Sequence, residues 1–342
     1  MFGQVIPTEP ADLYLSRVIG VNAGIPVAVP ALTVNRLCGT GLQAVLSGAQ
    51  AIMLGDCDIV LAGGAESMSR APYQSAGVRW GARIVDIDMT DMLNGALTDP
   101  FGRILMGVTA ENVAERFGIG RDMQDELAVE SHRRASNAVR EGRFASQMVG
   151  IEVKTRGGPT VFNEDEHIRD DATLADMKKL RTVFREEGGT VTAGNAAGIT
   201  DGAAAVVLAS GATVKRKQLK PLARLVAYGH AGVEPATMGL GPIPATRQAL
   251  ARAGLRVEDL DVIESNEAFA AQACAVSREL GFDPDKVNPN GSGISLGHPV
   301  GATGAINVVK AVHELERSGT RRALVTMCIG GGQGIAAIFE RC

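Results

Sequence analysis

Cys38 is the first residue in this sequence whose type and position suggest chemistry. It lies in VNRLCGTG, residues 34–41, directly before a long apolar stretch that predicts a helix. The positive end of a helix dipole favours thiolate over thiol, and neighbouring glycines let a ligand approach the backbone, so Cys38 is a candidate nucleophile. An inert cysteine in an apolar segment is an equally weighted alternative.

His298 lies in a second glycine-rich segment, NGSGISLGHPVGATG, which also precedes an apolar helical pattern. Histidine accepts and returns protons near neutral pH, so this residue is a candidate general base for a thiol. A histidine packed in the core with its hydrogen bonds satisfied is the structural alternative. The density of glycines around His298 favours the functional interpretation.

Cys328 and Asn266 each follow an apolar run that predicts a strand. Cys328 enters the glycine turn IGGGQG, where backbone N–H groups such as that of Gly330 are free to stabilise an oxyanion. A phosphate-binding turn is another use of such a loop, but the GK[ST] ending of a P-loop is absent. Asn266 opens NEAFAAQ, where it either caps a helix or holds a water or a carbonyl oxygen.

The elements that must position these residues alternate between short apolar runs and helical patterns, which predicts an α/β fold. The continuous apolar character of the runs predicts sheets covered on both faces. The predicted strands are Asp58–Gly64, Ala203–Ala209, Leu222–Tyr228, Asp261–Glu264 and Ala323–Cys328. The predicted helices are Gly41–Leu54, Gln124–Glu141, Pro244–Ala253, Ala268–Leu280 and Gly304–Arg317.

The chain also shows a weak internal duplication. Cys38–Gly41 and His298–Gly304 are both glycine-rich turns that precede an apolar helix and then a strand ending in glycines. Two copies of one loop–helix–strand unit predict two pseudo-symmetric halves whose loops converge. The charged, loop-like stretch between residues 69 and 198 is interpreted as an insertion that carries binding loops, with an ordinary lid as the alternative.

Composition excludes several classes of protein. The 342 residues are 45% hydrophobic and 21% charged, with a formal net charge of −4, so neither disorder nor nucleic acid as the main partner is expected. Five cysteines without metal-type spacing predict neither a disulfide framework nor a metal site. The uncharged segment Leu37–Gly55 has the length of a membrane span, but its glutamines and glycines favour a helix buried in protein. Met1–Pro10 lacks the pattern of a signal peptide, so we expect a cytoplasmic protein with no membrane partner.

These motifs together resemble the thiolase family, and they occur in the family's order over almost the whole chain. Within the family the sequence is most similar to bacterial biosynthetic β-ketothiolases linked to polyhydroxyalkanoate precursors. The segments that carry the resemblance are the Cys38 loop, GGAESMSRAPY (63–73), GTVTAGN (189–195), NEAFAAQ (266–272), the His298 loop and CIGGGQG (328–334).

The resemblance implies an α/β thiolase-like fold of two α/β/α halves with an inserted loop domain. Residues 1–68 with 199–220 would form the N-terminal half, 69–198 the domain that binds coenzyme A, and 221–342 the C-terminal half. It also implies acyl-CoA substrates without a permanently bound cofactor, and a homotetramer. Thiolases begin with a strand before the segment that matches Met1–Val5. We expect that strand to be central in its sheet, so that its loss destabilises the fold.

The resemblance also implies a reaction, the reversible Claisen condensation of acyl-CoA thioesters. Cys38 matches the nucleophile that carries the acyl group, His298 its base, and Cys328 the residue that moves the α-carbon proton. Asn266 matches the residue that holds a water in the oxyanion hole completed by His298. The N–H groups of Cys38 and Gly330 match the other oxyanion hole.

The contacts with coenzyme A are likewise implied by the resemblance alone. Arg169 would approach the adenine nucleotide, and the pantetheine channel would be lined by Met106, Phe184, Ala193 and Phe269. Two departures affect this region. Leu105 stands where these enzymes commonly have histidine, and Ala197 stands where they often have a serine that contacts the pantetheine. The loss of one ordinary hydrogen bond costs about 1 kcal/mol, so both changes should adjust affinity without abolishing the chemistry.

Two other functions remain open from the sequence. A degradative 3-ketoacyl-CoA thiolase would use the same residues on longer acyl chains, and a truncated, inactive relative would serve only in binding or assembly. The presence of Cys38, His298 and Cys328 favours an active enzyme. A carrier-protein ketosynthase is disfavoured, because His298 is paired with a cysteine and not with a second histidine.

Overall fold

The computed structural model describes residues 1–342 and contains two four-stranded sheets with helices packed around them. The first elements are β1 (Phe2–Gly3), α1 (Leu15–Asn22), β2 (Thr33–Val34), α2 (Thr40–Leu54) and β3 (Ile59–Ser67). The middle of the chain contains β4 (Tyr73–Gln74), β5 (Thr90–Asp91), α3 (Met92–Ala96), α4 (Met106–Phe117), α5 (Arg121–Arg140), β6 (Ile151–Thr155), β7 (Gly158–Phe162) and α6 (Leu174–Met177). The last part contains β8 (Asp201–Ala209), α7 (Gly211–Lys217), β9 (Ala223–Gly232), α8 (Pro242–Ala253), β10 (Val262–Ser265), α9 (Ala270–Leu280), α10 (Gly293–Leu296), α11 (Thr303–Ser318), β11 (Arg322–Ile329) and β12 (Gln333–Arg341).

The two sheets repeat one pattern of strand pairing. The N-terminal sheet has the order β2-β1-β3-β8, in which β1 is parallel to β2 and β3, and β3 is antiparallel to β8. The C-terminal sheet has the order β10-β11-β12-β9, in which β10 is parallel to β11, and β12 is antiparallel to both neighbours. In both halves a helix, α2 or α11, immediately precedes the central strand. The expected α/β fold of two similar halves is therefore confirmed.

The outer edges of the two sheets differ. In the C-terminal sheet β9 pairs with β12, whereas no strand pairs with the corresponding edge of β8. Neighbouring strands of the N-terminal sheet are all directly hydrogen-bonded. The prediction of burial on both faces is wrong for β8, because alternate residues of this strand face solvent, with Val207 68% exposed.

The C-terminal sheet is covered on both faces, as its continuous apolar strands predict. One face packs against α8 and α9 in a cluster that includes Leu250, Val276 and Ile338. The other face packs against α2 and α11 in a cluster that includes Leu46, Leu315 and Met327. Helix α2 is thus shared between the halves, because it also packs on β3.

Helices α2 and α11 meet at their N-termini through glycines. A Cβ atom on Gly41 would lie 2.6 Å from the backbone N of Ala305, and one on Gly304 would overlap the backbone of Leu42. Only glycine permits this approach, and it brings the segments that precede both helices together. The segment Leu37–Leu54 is long and apolar enough to cross a membrane by composition alone, and half of it is buried inside the protein.

Residues 69–198 contribute no strand to either four-stranded sheet. They form the hairpins β4–β5 and β6–β7 and the long helices α4 and α5, both of which pack against α9. The domain boundaries stay a prediction. The sequence analysis did not predict α4 or β12, since glycines at the ends of both segments suggest loops. The five helices and five strands that were predicted are all present, with ends shifted by at most four residues.

The contact between α2 and α11 predicts that Gly304→Ala destabilises the protein. The added methyl group overlaps the Leu42 backbone, and overpacking of this kind costs about 1–3 kcal/mol. Thermal and urea unfolding measure the effect. Gly211→Ala is the matched control, because a Cβ there meets nothing within 4 Å and alanine favours the first turn of α7. Equal stability of the Gly304→Ala variant and the wild type would contradict the expectation.

Candidate active site

Cys38 is presented by a strained turn. The preceding residue, Leu37, has a φ of +48°, a left-handed conformation that is unfavourable for leucine. Two hydrogen bonds hold this turn: Leu37 N–H donates to Asn35 Oδ1 at 2.9 Å, and Arg36 N–H donates to Thr40 Oγ1 at 2.7 Å. The turn places Cys38 two residues before the first residue of α2.

The environment of the Cys38 sulfur favours the neutral thiol. Burial raises the pKa of Cys38, and the charge of Glu66 raises it further. The backbone N–H groups of Gly330 and of Cys38 itself point to the sulfur and lower its pKa in part. Desolvation is the largest of these effects, and it opposes the thiolate that the terminus of α2 would favour.

Cys328 lies at the end of β11, close to Cys38. It is fully buried, and burial raises the pKa of its thiol, with a further contribution from the negative charge that Cys38 would carry. Gly330 follows two residues later and brings its N–H to the Cys38 sulfur. The structure therefore places the two cysteines and the N–H of Gly330 in one site.

His298 is fixed by a threonine that the sequence analysis did not identify. His298 Nδ1 lies 2.6 Å from Thr303 Oγ1, and that hydroxyl donates to the carbonyl oxygen of Pro299 at 2.9 Å. A hydroxyl that donates its single proton to Pro299 accepts from Nδ1–H, and in that tautomer Nε2 of His298 carries the lone pair.

The imidazole of His298 is neutral at pH 7. Burial lowers its pKa to about 4, because the charged form would lose its hydration. Asn266 Nδ2 lies 3.4 Å from Nε2 and 3.5 Å from Nδ1 of the ring. Asn266 is itself fully buried, and its Oδ1 has no hydrogen-bond partner within the protein.

A buried polar network supports the loops of Asn266 and His298. Glu267 accepts from Ser131 Oγ at 2.6 Å and from Asn288 Nδ2 at 2.9 Å. Lys310 donates to Glu264 Oε2 and to the carbonyl oxygen of Gly291, both at 2.6 Å. These bonds join β10, α5, α11 and the loop before His298. Because buried charges left without partners are costly, the network fixes one arrangement of the site.

Most of the residues assigned to coenzyme A by resemblance lie together beside Cys328. Met106 packs with Cys328 and with Phe269, and the rings of Phe269 and Phe184 meet edge to face with centroids 6.3 Å apart. Ala197 N–H donates to the carbonyl oxygen of Ala268, so its loop lies against the residue before Phe269. These four residues form an apolar wall that extends from the buried cysteine.

The other two assigned residues lie farther from this wall. Ala193 is exposed at the tip of the turn between Thr192 and Asn195. Arg169 is also exposed, and its backbone N–H donates to His132 Nδ1 at 3.2 Å. No hydrogen bond or ion pair joins Arg169 to the two cysteines or to His298, so its role stays a prediction.

A small apolar cavity opens beside Cys38. It was not predicted from the sequence, because its walls come from seven separate segments that only the fold brings together. The residues that line it are Val5, Ile6, Leu37, Cys38, Met68, Leu93, Ala96, Leu97, Met106, Val300 and Gly330.

Comparison with known proteins identifies the family to which this site belongs. Residues 1–212 match the thiolase N-terminal domain, and residues 219–341 match the thiolase C-terminal domain. The chain therefore belongs to the thiolase family, whose members are acyltransferases that take CoA thioesters as substrates without a permanent cofactor.

Individual relatives are similar over the whole chain. Beta-ketothiolase BktB of Cupriavidus necator is 65% identical over 341 residues, which are 100% of this chain and 86% of the relative. Acetyl-CoA acetyltransferase of Chromobacterium violaceum is 50% identical and is matched over 87% of its length. The crystal structure of human mitochondrial 3-ketoacyl-CoA thiolase superposes with a TM-score of 0.98 at 45% identity, covering 100% of this chain and 86% of that one.

These comparisons confirm the predicted fold, the thiolase family and the acyltransferase activity. They also support β-ketothiolase condensation over the degradative alternative, since identity is 65% to BktB and 46% to the human mitochondrial 3-ketoacyl-CoA thiolase sequence. The roles of individual residues are not tested by these similarities.

The contact between Thr303 and His298 predicts a loss of turnover in Thr303→Val. Valine has nearly the same shape but cannot accept from Nδ1–H, so the ring loses its fixed tautomer and orientation. We expect kcat to fall roughly 10-fold or more, because small displacements of catalytic groups have effects of up to about 100-fold. KM should change little.

Thr303→Ser is the matched control, since it keeps the hydroxyl and should retain most of the activity. Steady-state kinetics of 3-ketoacyl-CoA thiolysis measure both variants. Wild-type kcat in Thr303→Val would show that the hydroxyl does not position His298.

Proposed function

We propose that this β-ketothiolase condenses an acyl group with acetyl-CoA through an acyl-Cys38 intermediate, in a ping-pong reaction. The observation that supports it best is that Cys38, Cys328 and the N–H of Gly330 meet in one site. The contact between α2 and α11 brings the loop of the neutral His298 imidazole alongside the Cys38 turn. A carbon–carbon bond between two thioesters needs a preloaded electrophile, a base for the α-carbon and donors for two oxyanions. The site contains a candidate for each.

In the first half-reaction Cys38 attacks the carbonyl carbon of an acyl-CoA. Its proton passes to Nε2 of His298, the ring nitrogen that the tautomer leaves free. The tetrahedral oxyanion accepts from the N–H groups of Cys38 and Gly330. Coenzyme A leaves with the proton of Cys328, so that a thioester on Cys38, an imidazolium and a Cys328 thiolate remain.

In the second half-reaction the Cys328 thiolate removes the α-proton of acetyl-CoA. Burial raises the pKa of this thiol, so its thiolate is a strong base, as removal of a proton from carbon requires. The enolate oxygen accepts from the His298 imidazolium and from a water on Asn266. The enolate carbon attacks the acyl-Cys38 carbonyl, Cys38 leaves with the proton of His298, and 3-ketoacyl-CoA is released.

The surroundings of Cys38 favour a short acyl chain. The cavity beside the sulfur is apolar, which suits an alkyl chain, and its side walls include the bulky Ile6, Met68 and Leu97. The wall of Met106, Phe184, Ala197 and Phe269 extends from Cys328, where a pantetheine arm would approach. Short 3-ketoacyl-CoA products fit the proposed cytoplasmic role in supplying polyhydroxyalkanoate precursors.

Acyl trapping tests the assignment of the two cysteines. Incubation with labelled acetyl-CoA should place the label on Cys38, and Cys38→Ala should remove it. Cys328→Ala should still take up the label but should lose condensation by about 10²–10⁴-fold, because it lacks the base for the second half-reaction. Peptide mass spectrometry locates the label, and a coupled assay measures condensation.

Cys57→Ala is the control for cysteine removal, because Cys57 packs against Val45 and Val60, away from the site. It should retain both the label and condensation. A wild-type label on a residue other than Cys38, or no label, would contradict the proposed mechanism.

We also propose that the chain forms a homotetramer, as the resemblance implies. The segment between β4 and β5 carries large apolar side chains in solvent, including Trp80 at 91% exposure and Ile84 at 98%. Exposed apolar clusters of this kind mark protein–protein contacts.

The double variant Trp80→Ser and Ile84→Ser should therefore lower the number of associated copies, as measured by light scattering coupled to size exclusion. Ile151→Ser, which removes an exposed side chain from β6, is the control and should leave the mass unchanged. A wild-type mass of a single chain, or an unchanged mass in the double variant, would contradict the proposed assembly.

A further inference from the structure

Glu66 is a buried carboxylate that the mechanism above does not use. It lies near the end of β3, within the GGAES segment, and only 4% of it is exposed. No lysine, arginine or histidine forms an ion pair with it. Its three hydrogen bonds all come from backbone N–H groups, which is an unusual environment for a buried charge.

The three donors belong to two segments on either side of the active site. Val5 N–H donates to Oε2 at 2.9 Å and Ile6 N–H to Oε1 at 3.1 Å, and both residues line the cavity beside Cys38. Gly301 N–H donates to Oε2 at 2.9 Å, three residues after His298. One carboxylate thus connects the cavity wall, a strand of the N-terminal sheet and the His298 loop of the C-terminal half.

The packing around Gly301 shows that this connection is close. A Cβ on Gly301 would lie 2.5 Å from Glu66 Oε2 and 3.1 Å from the carbonyl oxygen of Ala65. A Cβ on Gly64 would overlap the carbonyl oxygen of Gly301. The backbone of the His298 loop therefore packs directly on the backbone of β3 at Gly64 and Gly301. The Glu66 carboxylate fixes the distance between them.

We propose that Glu66 is a positioning residue for the condensation, which holds the His298 loop and the Val5–Ile6 wall in place relative to Cys38. This inference rests on the proposed roles of Cys38 and His298. The charge of Glu66 also acts on Cys38, whose thiol pKa it raises. Burial raises the pKa of Glu66, the three N–H groups lower it in part, and the charge of Asp12 raises it further. Cys38 and Asp12 are the ionisable groups that interact with this carboxylate.

Two substitutions distinguish the effect of the position of the Glu66 carboxylate from the effect of its charge. Glu66→Gln keeps the shape but replaces one acceptor oxygen with an NH₂ group and removes the charge. We expect kcat to fall at least 10-fold with KM within about 3-fold, since the His298 loop loses its anchor. The pH at which Cys38 reacts half-maximally with iodoacetamide should move downward, because the negative charge of Glu66 no longer raises the pKa of the Cys38 thiol.

Glu66→Asp keeps the charge but shortens the reach to the three N–H groups. It should lower kcat while it leaves the pH profile of Cys38 alkylation near that of the wild type. A merely structural carboxylate would lower the melting temperature in both variants without moving that profile. If Glu66→Gln does not fold, the kcat of Glu66→Asp decides the question, since a wild-type value there overturns the proposal.

Asp261→Asn is the matched control. Asp261 also accepts two backbone N–H groups, those of Arg321 and Arg322, both at 2.9 Å, but at the end of β10 remote from Asn266. It should leave kcat and the alkylation profile unchanged. Wild-type kcat and an unshifted profile in Glu66→Gln would overturn the inference. Absence of acyl-Cys38 in the wild type would instead overturn the proposed function.

Discussion

The active site depends on the direct contact between the N-termini of α2 and α11. Gly41 and Gly304 leave no side chain between the two helices, so the turns that precede them lie as close as two backbones can pack. Cys38 precedes one helix and His298 precedes the other. A single pseudo-symmetric contact therefore brings together the segments that carry the proposed nucleophile and its proposed base, although 260 residues separate them in the sequence. The buried polar network of the C-terminal half then holds the His298 loop in place beside this contact.

The same close packing explains why the ionisable groups of the site are neutral before substrate binds. Two thiols and an imidazole packed among apolar side chains lose hydration, so burial raises the pKa of both cysteines and lowers that of the histidine to about 4. In the proposed mechanism, charge separation occurs only when substrate is present, between the imidazolium and the Cys328 thiolate. The N–H groups of Gly330 and Cys38 already face the Cys38 sulfur, where the proposed reaction develops charge.

Much of this arrangement could be predicted from the sequence, because motif and helix pattern coincide at each loop. The glycine-rich turns around Cys38, His298 and Cys328 identified three residues whose segments the structure brings together. Thr303 and Glu66 were missed because neither has a local signal: a threonine at a helix start is typical of a cap, and the partners of Glu66 lie about 60 and 235 residues away. The sequence left the thiolate and the buried thiol of Cys38 equally open, since the degree of burial cannot be read from a helix pattern.

The edge of the N-terminal sheet shows a second feature that a local sequence pattern cannot predict. The apolar run of β8 predicted a strand, and a strand is present, but its burial depends on a neighbour that the pattern does not contain. The two halves also differ at the strands that follow α2 and α11. In the C-terminal half that strand ends in Cys328, which we assign as the base, and in the N-terminal half it ends beside Glu66. Equivalent positions of one repeated unit thus supply a reactive group in one half and a support for the opposite loop in the other. A pseudo-symmetric fold can build an asymmetric site in this way, because each half places its strand end against the loop of its partner.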